Sequence, residues 1–294
     1  MSESKLTRTV SAAIIATPLL FAAIAALQVR IDAEMRTAAK EKEELVLRSG
    51  HVLKELSLGY ESLLANIYWT RAVQYYGERM GTKGANYELL APLLDITTTL
   101  DPKLIVAYRF GSIFLAERGS AGPGRTDLAI ELVKKGIAAN PSEWRLYMDM
   151  GFLYYWRLND YPNASATYLA GSRISGAPPW MKFMAARIAE QGGSIQTSRA
   201  IWSELYETTK DPNLRKKAVQ EIEGLKAQED EAELNELAEQ YRKRFGVFPA
   251  STREMRDAGL LTGIPVDPAG YPYVLDGDGK CHLSPQSSVV ELKP

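Results

Sequence analysis

Histidine and cysteine are scarce in this sequence of 294 residues, which contains only His51, His282 and Cys281. Two histidines exclude a multi-histidine metal site and most histidine-based catalysis, and a single cysteine excludes an internal disulfide. Cys281 and His282 are adjacent, so in a strand their side chains point to opposite faces and form no nucleophile–base pair.

Phosphate-binding loops, dinucleotide fingerprints and the short motifs of zinc proteases and serine hydrolases are also absent. The formal net charge is only -1, so the chain has no overall positive electrostatic field that would attract nucleic acid. The sequence therefore favours a non-enzymatic protein without a cofactor.

An uncharged run extends from Thr9 to Val29, with Lys5 and Arg8 before it. About 20 apolar residues span the hydrocarbon core as a helix, and the flanking charges place the amino terminus in the cytoplasm. The sequence thus predicts a single-pass anchor in residues 1–30, in the inner membrane, with the bulk of the chain outside the cytoplasm. The alternative is a cleaved signal peptide, because small residues at 23–26 offer cleavage sites.

Residues 31–58 are rich in charged residues and predict a helical stalk. In residues 59–226, helical patterns are interrupted by proline at a regular distance. Pro102, Pro141, Pro179 and Pro212 lie 39, 38 and 33 residues apart. A recurrence of this length is typical of stacked helix pairs, so the predicted fold is mainly α, an α-solenoid of helix pairs.

Small residues recur at matching places in these helices. Gly111 and Gly151 are central in first helices, whereas Gly136 and Gly171 precede the prolines in second helices. Two crossing helices need a small residue where they approach most closely. With this order of glycine, aromatic residue and proline, residues 60–226 resemble the tetratricopeptide repeat family, with three to five repeats.

The resemblance implies that the first helices line a groove for a peptide or a partner helix. If Gly111, Gly151 and Ala65 occupy the packing position, helix geometry directs neighbouring residues toward the groove. The predicted protein-binding residues are Asn66, Trp69, Tyr108, Ser112, Leu115, Met148, Phe152, Tyr155 and Trp156. For each of them, helix-to-helix packing is the alternative role.

Residues 227–294 begin with a charged helix and then change in composition. Ser251 and Glu254 predict the start of a short helix, and residues 271–284 predict a small hairpin around Asp-Gly-Asp-Gly. The tail resembles the end of the major pseudopilins of type II secretion systems, although the prepilin start is missing. The matching residues are Ala258, Gly259, Leu260, Leu261, Ile264, Pro265, Asp267, Pro268, Gly270, Tyr271, Pro272 and Tyr273.

Pseudopilins often bind calcium near this hairpin, which makes Asp276 and Asp278 candidate ligands by resemblance. Lys280 occupies the next alternate position, where calcium needs an oxygen, and a plain turn is the alternative.

Taken together, these patterns predict a membrane-anchored scaffold that binds proteins of the bacterial cell envelope, with secretion or pilus components as its partners. The alternatives are a soluble periplasmic chaperone-like peptide binder, released by signal cleavage, and an enzyme with an unrecognised site.

Overall fold

The computed structural model describes residues 50–290, which form a mainly helical chain with a small hairpin near its end. The mainly α fold predicted from the sequence is confirmed. The predicted anchor and most of the predicted stalk lie outside the described residues. Between residues 50 and 290, no helix is both long enough and apolar enough to cross a membrane.

Nine helices of 7 to 19 residues follow each other closely from the start of the described residues. They are α1 (Gly50–Leu56), α2 (Glu61–Arg79), α3 (Leu90–Leu100), α4 (Ile105–Ala116), α5 (Thr126–Ala139), α6 (Trp144–Phe152), α7 (Tyr161–Ser172), α8 (Trp180–Gln191) and α9 (Ile195–Thr208). From α2 onward, each helix packs against the next, and α4 also contacts α6. This arrangement is compatible with an α-solenoid made of the pairs α2–α3, α4–α5, α6–α7 and α8–α9.

Polar contacts join consecutive pairs at a constant distance in sequence. Three ion pairs connect side chains 40 residues apart, namely Asp95–Lys135, Arg109–Asp149 and Glu117–Arg157. The side-chain amide of Asn140 also donates to the carbonyl of Pro102, 38 residues earlier, at 2.7 Å. Side chains about 40 residues apart in the sequence therefore meet in space, which is compatible with stacked helix pairs.

The glycines of the repeat lie where helices approach each other most closely. A Cβ atom added at Gly136 would lie 2.8 Å from the ring of Tyr108, and one at Gly151 would lie 2.7 Å from the ring of Tyr168. A Cβ at Gly171 would lie 2.7 Å from Tyr147. These distances are shorter than carbon atoms tolerate, so the predicted packing role of these glycines is confirmed.

A π-helical segment, Leu153–Leu158, continues α6 and ends at Asn159, whose φ of 53° is left-handed. A π turn inserts an extra residue into the helical repeat and shifts the side chains that follow it. Tyr154, Tyr155 and Trp156 lie in this segment; because they are consecutive, they point to different sides of the helix.

Helix α10 (Pro212–Phe245) is one uninterrupted helix of 34 residues. Asp211 caps its start by accepting from the backbone N–H groups of Asn213 and Leu214, and Gly246, with φ of 81°, ends it. The predicted boundary between residues 226 and 227 lies inside this helix. Its first part packs on α9, and its second part carries the carboxy-terminal module.

The carboxy-terminal module consists of α11 (Thr252–Asp257) and the antiparallel strands β1 (Val274–Leu275) and β2 (Cys281–His282). The predicted hairpin is therefore confirmed. The module packs on α10 through a core that includes Leu234, Ala238, Met255, Tyr273 and Cys281. The predicted helix start is confirmed, because Ser251 occupies the N-cap position of α11, whereas the predicted capping bond of its side chain is not. Glu254 accepts from the backbone N–H of Ala250, but the Ser251 side chain makes no cap bond.

Candidate functional site

Three of the predicted groove residues are buried in the core. Tyr108 is fully buried, with its hydroxyl 3.4 Å from the carbonyl of Thr98, and Ser112 and Leu115 are almost inaccessible to solvent. Burial raises the pKa of Tyr108 to about 12. The expectation that these residues line an open surface is wrong, because they share the buried face of Gly111.

The helix register explains this error. Residues three before and four after a given residue lie on the same side of a helix, and the residue one after lies next to that side. Since Gly111 faces Leu94 and Leu132 inside the protein, those neighbours also face inward. The exposed side of α4 instead carries Val106, Phe110 and Ile113.

The predicted residues of α2 differ in exposure. Asn66 is exposed, and its side-chain amide donates to the carbonyl of Ser62 at 2.7 Å. Trp69 is half-buried and lies parallel to Phe114 of α4, with ring centroids 6.1 Å apart. Trp69 therefore helps to join the first two helix pairs, whereas Asn66 is free to meet a partner.

The predicted residues of α6 and its π segment are closer to the surface. Met148 and Tyr155 are half-buried, and the Tyr155 hydroxyl donates to the side-chain oxygen of Gln191 at 2.9 Å. Phe152 and Trp156 are 45% and 63% exposed. Their rings are stacked, with centroids 6.3 Å apart. The last two residues thus offer aromatic surface to a partner.

Five exposed apolar residues of α4, α6 and the π segment form the candidate site, which we call the first-helix face: Val106, Phe110, Ile113, Phe152 and Trp156. The Arg109–Asp149 ion pair connects α4 to α6, with Nε 2.7 Å from Oδ2. Sequence reasoning missed the three residues of α4. These three residues have the spacing i, i+4 and i+7 that is typical of one apolar side of a helix. The signal was hidden because α4 has a second apolar side, which is buried.

Burial and pairing act against each other in the Arg109–Asp149 pair. Burial raises the pKa of Asp149 above its usual value, although the hydrogen bond from Arg109 opposes this rise. The same hydrogen bond raises the pKa of Arg109. For Asp149, burial thus outweighs the hydrogen bond in setting the pKa, whereas for Arg109 the hydrogen bond outweighs burial.

The described residues enclose several cavities, with volumes of about 370, 410 and 620 Å³ among them. The cavity of 620 Å³ lies between α8, α9 and the start of α10. Phe183 and Trp202 are stacked in its wall, with centroids 5.6 Å apart. At its polar end, the buried carboxylate of Glu221 accepts from Lys217 at 2.7 Å and lies 3.5 Å from Arg187. The charge of Glu221 is compensated by two cations, Lys217 and Arg187, as in a structural ion-pair network.

No family model matches this sequence, and no curated protein does. The functional argument therefore depends on the geometry of the residues.

The acidic hairpin turn is occupied by its own hydrogen bonds. One oxygen of Asp276 accepts from the backbone N–H groups of Asp278 and Lys280, and the other lies 3.0 Å from Nε2 of His282. The contact with His282 is the main reason that the pKa of Asp276 is lowered. Within residues 50–290, no three acidic, histidine or cysteine side chains are placed to hold a metal ion. The carboxylate of Asp276 is therefore already engaged by hydrogen bonds within the turn.

Proposed function

We propose that this chain is a membrane-anchored helical-repeat scaffold that binds other proteins of the bacterial cell envelope. In this proposal, residues 1–30 anchor the chain in the inner membrane, the amino terminus is cytoplasmic, and the repeats lie outside. The observation that carries the proposal is the first-helix face, on which two adjacent helices present exposed aromatic and aliphatic side chains.

The chemistry of the face suits a protein partner. Aromatic residues supply much of the binding energy at protein interfaces because they bury a large area with few rotatable bonds. Phe110, Phe152 and Trp156 provide this area. The charge of Arg109, the residue before Phe110, is already compensated by Asp149. The face therefore fits an apolar side of a partner, such as an amphipathic helix, with no requirement for net charge.

Secretion or pilus components are the proposed partners because the tail resembles the end of the type II secretion major pseudopilins. The carboxy-terminal module also has exposed apolar residues, including Val247, Val266 and Val274. It is joined to the repeats by the continuous helix α10. This module offers a second surface for the same machinery.

Crosslinking and affinity capture from intact cells test the proposal. We expect the full chain to capture secretion or pilus components, and the double variant Phe152→Ser/Trp156→Ser to lose them. Both side chains are exposed, so this variant keeps its fold, which circular dichroism checks. The comparison variant, which serves as the control for the face, is Val247→Ser/Val266→Ser; it removes exposed apolar side chains from the carboxy-terminal module, the second proposed surface.

The outcomes separate the surfaces. If the control loses the partners and the aromatic double variant keeps them, the module is the recognition element and the first-helix face is not. If the wild-type chain captures no envelope component, the assignment to this machinery fails. The anchor is tested separately, because an integral protein stays in the membrane during alkaline carbonate extraction, whereas a released one is found in the soluble fraction.

A further inference from the structure

The corner between α1 and α2 exposes an unusual amount of apolar surface. Six large apolar side chains within residues 52–67 are at least two-fifths exposed: Val52, Leu56, Leu58, Tyr60, Leu63 and Ile67. Val52 and Leu56 are four residues apart on α1, and Leu63 and Ile67 are four apart on α2, so each pair occupies one side of its helix. The patch continues from one helix to the next through the turn.

Leu58 at the tip of this turn combines two unfavourable features. Its side chain is 87% exposed, and its backbone is left-handed with φ of 51°. This conformation is disfavoured for leucine because Cβ crowds the following carbonyl oxygen. Glycine or asparagine would fit the position better as far as folding is concerned.

Local hydrogen bonds hold the turn in this shape. The Ser57 hydroxyl donates to the carbonyl of Lys54 at 2.6 Å, and the backbone N–H of Tyr60 donates to the carbonyl of Ser57 at 2.9 Å. The N–H of Leu64 then donates to the carbonyl of Tyr60 at 3.0 Å, which starts α2. The turn therefore holds Leu58 outward in a defined, hydrogen-bonded conformation, where it contributes little to the core.

We infer that the α1–α2 corner inserts into the interface of the lipid bilayer. The inference rests on the proposed membrane anchor. Only residues 30–49 separate the uncharged run at 9–29 from Gly50. Twenty residues reach at most about 70 Å even when fully extended, so an anchored chain keeps the corner within reach of the membrane surface.

The chemistry of the corner fits lipid better than a protein pocket. Leucine side chains that project from a turn enter a fluid acyl layer without needing a matching cavity, and tyrosine is enriched at the level of the headgroups. Lys54 is accompanied by Glu55 and Glu61, so the corner has no excess of positive charge. We therefore expect the corner to enter neutral phosphatidylcholine bilayers, with little dependence on salt.

Fluorescence of the full chain in phosphatidylcholine vesicles tests the inference. In a Cys281→Ser background, Leu58→Cys is labelled with the environment-sensitive dye NBD, and spin-labelled lipid is added as a quencher. We expect blue-shifted emission and strong quenching at position 58, unchanged at high salt. The matched control is the same dye at Val247→Cys, which is 64% exposed on the carboxy-terminal module and should show neither effect.

Equal spectra at positions 58 and 247, both without quenching, would overturn the inference. A blue shift that spin-labelled lipid does not quench would also overturn it, because another part of the chain, a second copy or a protein would then cover the corner. Leu56→Cys on α1 serves as a second probe if a label at 58 disturbs the turn. Carbonate extraction of the same vesicles distinguishes failure of the corner inference from failure of the proposed anchor. If the chain stays in the membrane but the dye is not quenched, only the insertion of the corner is refuted. If the chain is extracted, the membrane anchor is refuted.

Discussion

Arg109 and Asp149 are 40 residues apart in the sequence, and Nε of the arginine lies 2.7 Å from Oδ2 of the aspartate. The second guanidinium contact, from Nη2 to Oδ1, is 3.4 Å long. Because α4 and α6 are the first helices of consecutive units, this bond fixes the spacing of the two helices that carry the first-helix face. The geometry of the proposed binding surface thus depends on an ion pair whose two residues are 40 positions apart in the sequence.

Removing the arginine should destabilise the fold. Arg109→Met leaves the mostly buried Asp149 carboxylate without its cation, and we expect a loss of about 3 kcal/mol in the free energy of unfolding. The double variant Arg109→Met/Asp149→Leu should recover most of this loss, because an apolar pair needs no hydration. Urea unfolding in detergent, followed by tryptophan fluorescence, measures both. Arg125→Met, which removes an exposed ion pair with Asp127, is the control and should change little.

The raised pKa of Asp149 predicts a pH dependence of defined sign. A carboxyl whose pKa is higher in the folded state binds its proton more tightly there, so its contribution favours folding at low pH and is lost as pH rises through the folded pKa. The window begins near the unfolded value of about 3.9. The stability of Asp149→Asn relative to wild type should therefore increase with pH above this value and then level off. A difference that stays flat or falls with pH would contradict the burial effect.

Two glycine-to-alanine variants should have opposite effects. Gly151→Ala places a methyl group 2.7 Å from the Tyr168 ring, and such overpacking costs about 1–3 kcal/mol. At Gly77 in α2, an added Cβ would have no described atom within 4 Å apart from the backbone of its own helix and its chain neighbours. There, alanine should stabilise the helix by about 0.5 kcal/mol through its higher propensity. Thermal unfolding of both variants checks the sign, and a stabilised Gly151→Ala would contradict the repeat packing.

The helix pairs and their boundaries could be predicted from the sequence because prolines and glycines impose local constraints. Pro212 begins α10 next to its cap Asp211, as proline at the first helical position should. Gly136 and Gly171 identified close contacts because no larger residue fits there. The short hairpin also followed from its Asp-Gly turn.

The orientation of α4 could not be predicted because the helix is apolar on both sides. Tyr108 is buried and Phe110 is exposed, although either pattern satisfies the same periodicity, and only contacts with Leu94 and Leu132 decide between them. The predicted boundary at 226 lies inside α10 for a different reason. The composition becomes charged there, but glutamate, lysine and alanine are good helix formers, so α10 continues through it.

The thiol of Cys281 provides a final prediction, because it reports whether the carboxy-terminal module stays docked on α10. Burial, together with the nearby charges of Glu231 and Asp230, raises the pKa of this thiol to about 12. The thiolate is the reactive form, so the native protein should react very slowly with a disulfide reagent at neutral pH, and only when the module opens.

The backbone N–H of Cys281 donates to the side-chain oxygen of Asn235 at 2.6 Å. Asn235→Ala removes this acceptor, which should weaken docking by about 1 kcal/mol and raise the rate of thiol modification roughly five-fold. Asn213→Ala, at the opposite end of α10, should leave the rate unchanged. A fast reaction in the wild-type protein would show that the module is open in solution, and the connection from the helix pairs through α10 to the module would then not be rigid.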